Sequence, residues 1–273
     1  MSYRIHANTA ARCSGRRWTI AGVLLLASAT CYAGTTPLDI MLLRANDQVA
    51  KFVEAFSEVK CTEHVEQVKY RPDGKVDLKE DSTYDYLVIL TNAGGEITLD
   101  ESRLAVHEQK KDEKKRVSML VSNGFATLFL VFHPYYSPGF RFTDLGEDPI
   151  NGQAFHKIHF EHIPGMRSPA ALALRGREYP LELAGMAWID PQTGIIARIT
   201  GGLNEGMLDI GLKSLETEVD FAPVPFRDTN RVYWFPSQAV VEVESPRQHW
   251  RNTHHFTNYQ KFSVSTDEKV AQK

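Results

Sequence analysis

Met186-Ala187-Trp188-Ile189-Asp190-Pro191-Gln192-Thr193-Gly194-Ile195-Ile196-Ala197-Arg198-Ile199 is the stretch whose reading decides the fold. Two runs rich in β-branched and aromatic residues flank a turn made of Asp, Pro and Gly, which reads as a β-hairpin. Strands joined this tightly must pair antiparallel, because a parallel pair needs a crossover of a dozen residues or more. The same alternation recurs on both sides of it. Strands are predicted over 140–145, 153–162, 181–190, 195–201, 208–221, 232–244 and 247–264, with short turns between them. The last is long, and its even face carries Trp250, His254, Phe256, Phe262 and Val264. A long, twisted sheet of this size tends to curl.

Upstream, the period of the pattern changes. Leu38, Leu42, Ala45, Val49, Phe52, Val53 and Phe56 recur at spacings of three and four behind Thr36, Pro37 and Asp39, which suit a cap and first turn. This predicts an amphipathic helix. From Glu58 the period falls to two, with Val59, Cys61, Glu63, Val65 and Gln67 on one face, up to the turn Arg71-Pro72-Asp73-Gly74. A second strand is predicted over 84–91, closing at Asn92-Ala93-Gly94-Gly95. Residues 107–117 are lysine-rich and read as a solvated connection. Residues 124–132 carry almost no polar side chain and read as a short helix apolar on every side, which belongs inside a core. The fold class is therefore α+β: a curved antiparallel β-sheet, a half-barrel, packed against an N-terminal amphipathic helix and a short central apolar helix. One domain is predicted over 34–265, with a disordered tail at 266–273.

Arg16-Arg17 followed by the apolar run 18–29 and Ala33 reads as an export signal over 1–33, cleaved near Ala33, which predicts a periplasmic or secreted location. The apolar run is short of the about 20 residues a spanning helix needs. The residues ahead of Cys31 fit a lipidation site poorly, and those after Arg16-Arg17 fit twin-arginine export poorly. Removing 1–33 takes away Arg4, Arg12, Arg16 and Arg17 and no acid, so 31 basic residues against 34 acidic become 27 against 34. That acidic balance argues against nucleic acid as a partner. Of the three cysteines only Cys61 lies beyond the signal, so no internal disulfide is available. Apolar burial must hold the fold, and a chain of about 240 residues can hide roughly 70 to 75% of its unfolded surface.

The order of elements, the run Gly185 to Gly194 followed by Ile199, and the later Tyr233-Trp234-Phe235-Pro236 resemble the LolA, LolB and RseB half-barrel proteins of the bacterial envelope. That resemblance implies antiparallel strands closed by helices around a hydrophobic cavity. It also implies a lipid, a lipoprotein acyl chain or an envelope protein as the partner. It carries over no catalytic or ligand residue by position.

Candidate chemistry is sparse. His156, His159, Glu161 and His162 are zinc-type ligands, but a strand puts His156 and His162 on one face and His159 and Glu161 on the other. Period two likewise separates His254 from His249 and His255. Ser57-x-x-Lys60 falls where a helix ends and a strand begins, and its companion motifs are missing. Gly201 to Gly206 lacks a nucleotide-binding glycine spacing. Cys61 reads as a small buried hydrophobe. No catalytic residue, metal site or cofactor is therefore predicted. The positive candidate is apolar surface: Phe125, Leu128, Phe129 and Phe132 facing a concave sheet that carries Tyr86, Val88, Trp188 and Trp234. If these line a cleft, the function is binding of a hydrophobic ligand. A protein-interaction or sensor module is the alternative, and an enzyme built on the histidines is a third class.

Overall fold

The computed structural model describes residues 36–93, 96–106, 128–174, 177–226 and 232–261. The predicted export signal, the charged connection at 107–117, Phe125 and the predicted tail lie outside them. The helix α1 spans Pro37–Phe56 and begins with a capping box: Asp39 N–H donates to Thr36 Oγ1 at 3.1 Å and Thr36 N–H donates to Asp39 Oδ2 at 2.8 Å. Its buried stripe is Met41, Ala45, Val49, Val53 and Phe56. Among the described residues no helix is long and apolar enough to cross a membrane.

The strands are β1 Val59–Tyr70, β2 Val76–Ala93, β3 Glu96–Ala105, β4 Phe140–Glu147, β5 His156–His162, β6 Ala171–Leu174, β7 Arg177–Pro180, β8 Leu183–Ile189, β9 Ile196–Leu203, β10 Ser214–Pro225, β11 Val232–Glu244 and β12 His249–Lys261. Ten of them form one sheet in the order β3-β2-β1-β12-β11-β10-β9-β8-β5-β4, every neighbouring pair antiparallel, while β6 and β7 pair apart as a short excursion. The first and last strands meet in mid-sheet, where Val65 faces His254. Because β3 and β4 stay at opposite edges, the sheet is open, a half-barrel rather than a closed one. α1 and a 3₁₀ turn at Phe129–Phe132 lie on its inner face, completing the α+β arrangement.

The hairpin turn between β8 and β9 docks on α1. Gly194 sits at φ +77°, and a Cβ there would lie 2.3 Å from the Arg44 carbonyl carbon, so both conformation and space demand glycine. Arg44 Nη1 donates to the Pro191 carbonyl at 2.5 Å across the same contact.

Several boundaries depart from the sequence pattern. β2 is longer than 84–91. The strand expected from 208 opens instead with a 3₁₀ turn at Leu208–Ile210 and a left-handed Gly211, so β10 begins at Ser214. The apolar segment 124–132 is, over its described residues, a helical Leu128 leading into the 3₁₀ turn. β3, β6 and β7 were not expected.

Candidate functional site

α1 does not lie flush on the sheet along its whole length. Toward its C-terminal end a cleft of about 650 Å³ opens between the helix and β10–β11, walled by Phe52, Phe129, Phe221, Tyr233 and Trp234. The volume is within the range of small-molecule sites. The walls form a connected set of rings. Phe52 meets Phe129 edge-on at 4.5 Å, Phe235 at 5.7 Å and Phe221 at 6.0 Å, and Tyr233 stacks on Phe235 at 5.7 Å and 4°. Phe52 and Tyr233 are only partly buried, so apolar ring surface faces the opening. The mouth is polar and mixed in sign: Lys51, Glu54, Glu58 and Lys261 border it, and Lys261 Nζ lies 3.1 Å from Glu58 Oε2 and over the Tyr233 ring at 5.8 Å.

The residues singled out from sequence divide three ways. Phe129 and Trp234 line the cleft. Tyr86, Val88, Leu128 and Phe132 are buried in the packed core behind it. Tyr86 touches Phe56 at 6.5 Å, and Phe132 packs on Phe142 and Phe160 at 5.2 and 5.9 Å. Trp188 sits on the opposite face of β8 from the buried Ala187 and Ile189. There its indole N–H donates to Asp148 at 3.0 Å, between Lys157 at 4.9 Å and Arg198 at 6.0 Å from the ring. Placing Trp188 on the concave side is therefore corrected, because strand period two sends it outward with its neighbours inward. Phe52, Phe221 and Tyr233 line the cleft without having been singled out as site residues. Their spacing marks them as apolar, but only the distance between α1 and β10–β11 shows which stay uncovered.

The histidines are engaged separately. His156 Nδ1 lies 2.9 Å from Asp144 Oδ2, His162 Nε2 lies 3.2 Å from the Arg167 carbonyl, and His249 Nε2 lies 2.5 Å from Glu242 Oε1. His159 is half-buried on the other face of β5. Among the described residues no group of three metal-ligating side chains gathers. Ser57 donates to the Glu54 carbonyl at 2.8 Å, finishing α1. Cys61 is buried, and burial pushes its thiol up to about 12, where it stays protonated.

No protein-family model matches the chain, and no curated protein does. Solved structures similar to it include a LolA superfamily protein from Nitrosomonas europaea, with 11% identity, 84% of this chain and 97% of that one covered, and a TM-score of 0.36. A DUF1329 family protein from Desulfovibrio piger has 13% identity, 88% and 96% coverage and a TM-score of 0.41. An outer membrane lipoprotein-sorting protein domain from Vibrio parahaemolyticus has 10% identity, 85% and 93% coverage and a TM-score of 0.39. These likenesses assign no role to any side chain.

Proposed function

We propose that this is an exported, non-catalytic binding protein of the cell envelope, which holds an acyl chain or a comparable hydrophobic ligand in the cleft between α1 and β10–β11. The observation that carries this reading is the aromatic lining of a cleft that side chains do not fill. Exposed ring surface in a concavity is released from water when an apolar guest enters, at roughly 25 cal/mol per Å² buried. Export follows from the signal read over 1–33, and N-terminal sequencing of the secreted protein should then begin at Gly34.

Titration of a fluorescent fatty-acyl probe into the full chain tests the binding. Saturable binding is expected, weakened about tenfold, or about 1.4 kcal/mol, by Tyr233→Ala and unchanged by Trp188→Ala. Absence of saturable binding, or equal loss in both variants, would refute it.

A further inference from the structure

The other notable feature of the inner face lies away from the cleft and is ionic. Glu63, in the middle of β1, is fully buried. Arg103 of β3 donates to it twice, from Nε to Oε2 at 2.6 Å and from Nη2 to Oε1 at 2.9 Å, and His254 Nδ1 of β12 lies 2.8 Å from the same Oε1. Because an ionised carboxylate only accepts, Nδ1 carries the proton in that contact. The same Arg103 Nη2 lies 2.6 Å from Oε2 of Glu101, two residues earlier on β3. The side chain of Glu101 is fully buried and that of Arg103 is 8% exposed. Across β2, Arg103 lies over the Tyr86 ring at 5.0 Å.

Counting charges singles out Glu101. Glu63 and Arg103 neutralise each other, and Glu63 also accepts the His254 Nδ1–H bond, so three donors converge on one carboxylate. Glu101 is left with a share of a guanidinium already committed. The described ionisable groups facing this cluster are Cys61 and Glu63 of β1, Tyr86 of β2, Arg103 of β3, and His254 and Tyr259 of β12. Among them only Arg103 and a charged His254 are cationic. A second negative charge here is therefore poorly compensated, and the group that must accept or lose a proton to relieve it is on the edge strand.

We propose that Glu63, Arg103, Glu101 and His254 form a proton-operated latch, which fastens the β2–β3 ribbon to the sheet in mild acid and loosens it in mild base. This is independent of what the cleft holds. The ribbon is the element to respond: among the described strands β3 is at the edge and pairs with β2 alone, while Arg103 ties it to β1 two strands away. Burial, helped by the nearby Glu63 charge, pushes the Glu101 carboxyl up to about 7 from an ordinary value of 4.5, against the pull of Arg103 and of the Tyr86 hydroxyl. A carboxyl whose pKa is raised in the closed state keeps its proton there and releases it on opening. Closure is accordingly least costly below about 4.5 and becomes steadily less favourable as pH rises to about 7. For Glu63 burial acts upward, but the hydrogen bonds from His254 and Arg103 outweigh it and hold the carboxyl below the usual range. Its contribution is present throughout neutral pH and fades only in stronger acid, so it does not mask the step.

Backbone amide hydrogen exchange of the full chain at pH 6 and pH 8, corrected for intrinsic exchange, reads the latch directly. Protection of the β2 and β3 amides should drop roughly tenfold at pH 8. The β8–β9 amides should hold steady, and Glu101→Gln, which mimics the protonated acid, should remove the step. Equal protection of the ribbon at both pH values overturns the proposal, as does a step that survives Glu101→Gln. Should that variant not fold, the ¹³C carboxyl resonance of Glu101 in the native protein decides. A titration midpoint near neutrality supports the latch, and one at the ordinary carboxylate value overturns it.

Discussion

The inner face of the sheet is built in two ways. From β4 to β10 it is mostly hydrocarbon: Ile158, Phe160, Ala187, Ile189, Ile199, Val219 and Phe221 are buried in one cluster with Phe129 and Phe132, and His162 and Thr217 are the polar exceptions buried on the same strands. From β12 to β3 the same face carries Glu63, Gln67, Asn252, His254 and Arg103 among its apolar residues. Apolar contact is non-directional, so the first half can leave ring surface uncovered and keep a cleft without losing its fold. A buried charge network has no such freedom, because each member is stable only while its partners stay in place. One half can be hollow, whereas the other must be complete.

The sharpest way to break this contrast is Arg103→Met, which leaves two buried acids without their cation. A loss of about 3 to 5 kcal/mol is expected at pH 7 by urea unfolding. The loss should shrink near pH 5, where Glu101 holds a proton. A loss below about 1 kcal/mol at pH 7 would mean that this half holds without its charges.

Phe160→Ala is the counterpart in the apolar half. The ring is fully buried against Phe132 and Phe140, so about 3 kcal/mol should be lost. That loss should be the same at pH 5 and pH 8. A pH-dependent cost there would show that the two halves are not separable.

Smaller still is the pH profile of the native chain. If the ribbon unfolds with the rest, stability should fall by roughly 1 kcal/mol between pH 6 and pH 8, because folded Glu101 must give up a proton that the unfolded chain has already released. It should fall again in stronger acid, below the ordinary carboxylate range, as Glu63 gains a proton and loses its ion pairs. A profile flat through neutrality would remove Glu101 from the explanation.

The apolar half was legible in the sequence because its strands keep the period of two that burial on one side imposes. The hairpin from Met186 to Ile199 follows it, and the helix α1 is marked instead by its own spacing of three and four. β3 was not legible for the reason that makes it interesting. Its inward positions 101 and 103 are Glu and Arg, so the alternation that marks a half-buried strand is reversed over that stretch. A clue was nevertheless present in β1, where Glu63 and Gln67 share a face with Val59, Cys61 and Val65. Charge on an apolar face calls for a buried partner, and that partner lay in the strand whose pattern had been broken. In the cleft, the aromatic character of Phe129 and Trp234 was readable, and both border it. Trp188 reads as part of the apolar concave face although its strand parity points out, and Phe52 and Phe221 need the placement of α1 to be seen.

The most direct test of the hollow half is an NMR titration of the full chain with a long-chain fatty acid, following aromatic and methyl resonances. Saturable shifts should concentrate on Phe52, Phe129, Phe221, Tyr233 and Trp234 and leave the Trp188 indole unmoved. Shifts scattered over the outer face, or none at ligand excess, would contradict a binding cleft.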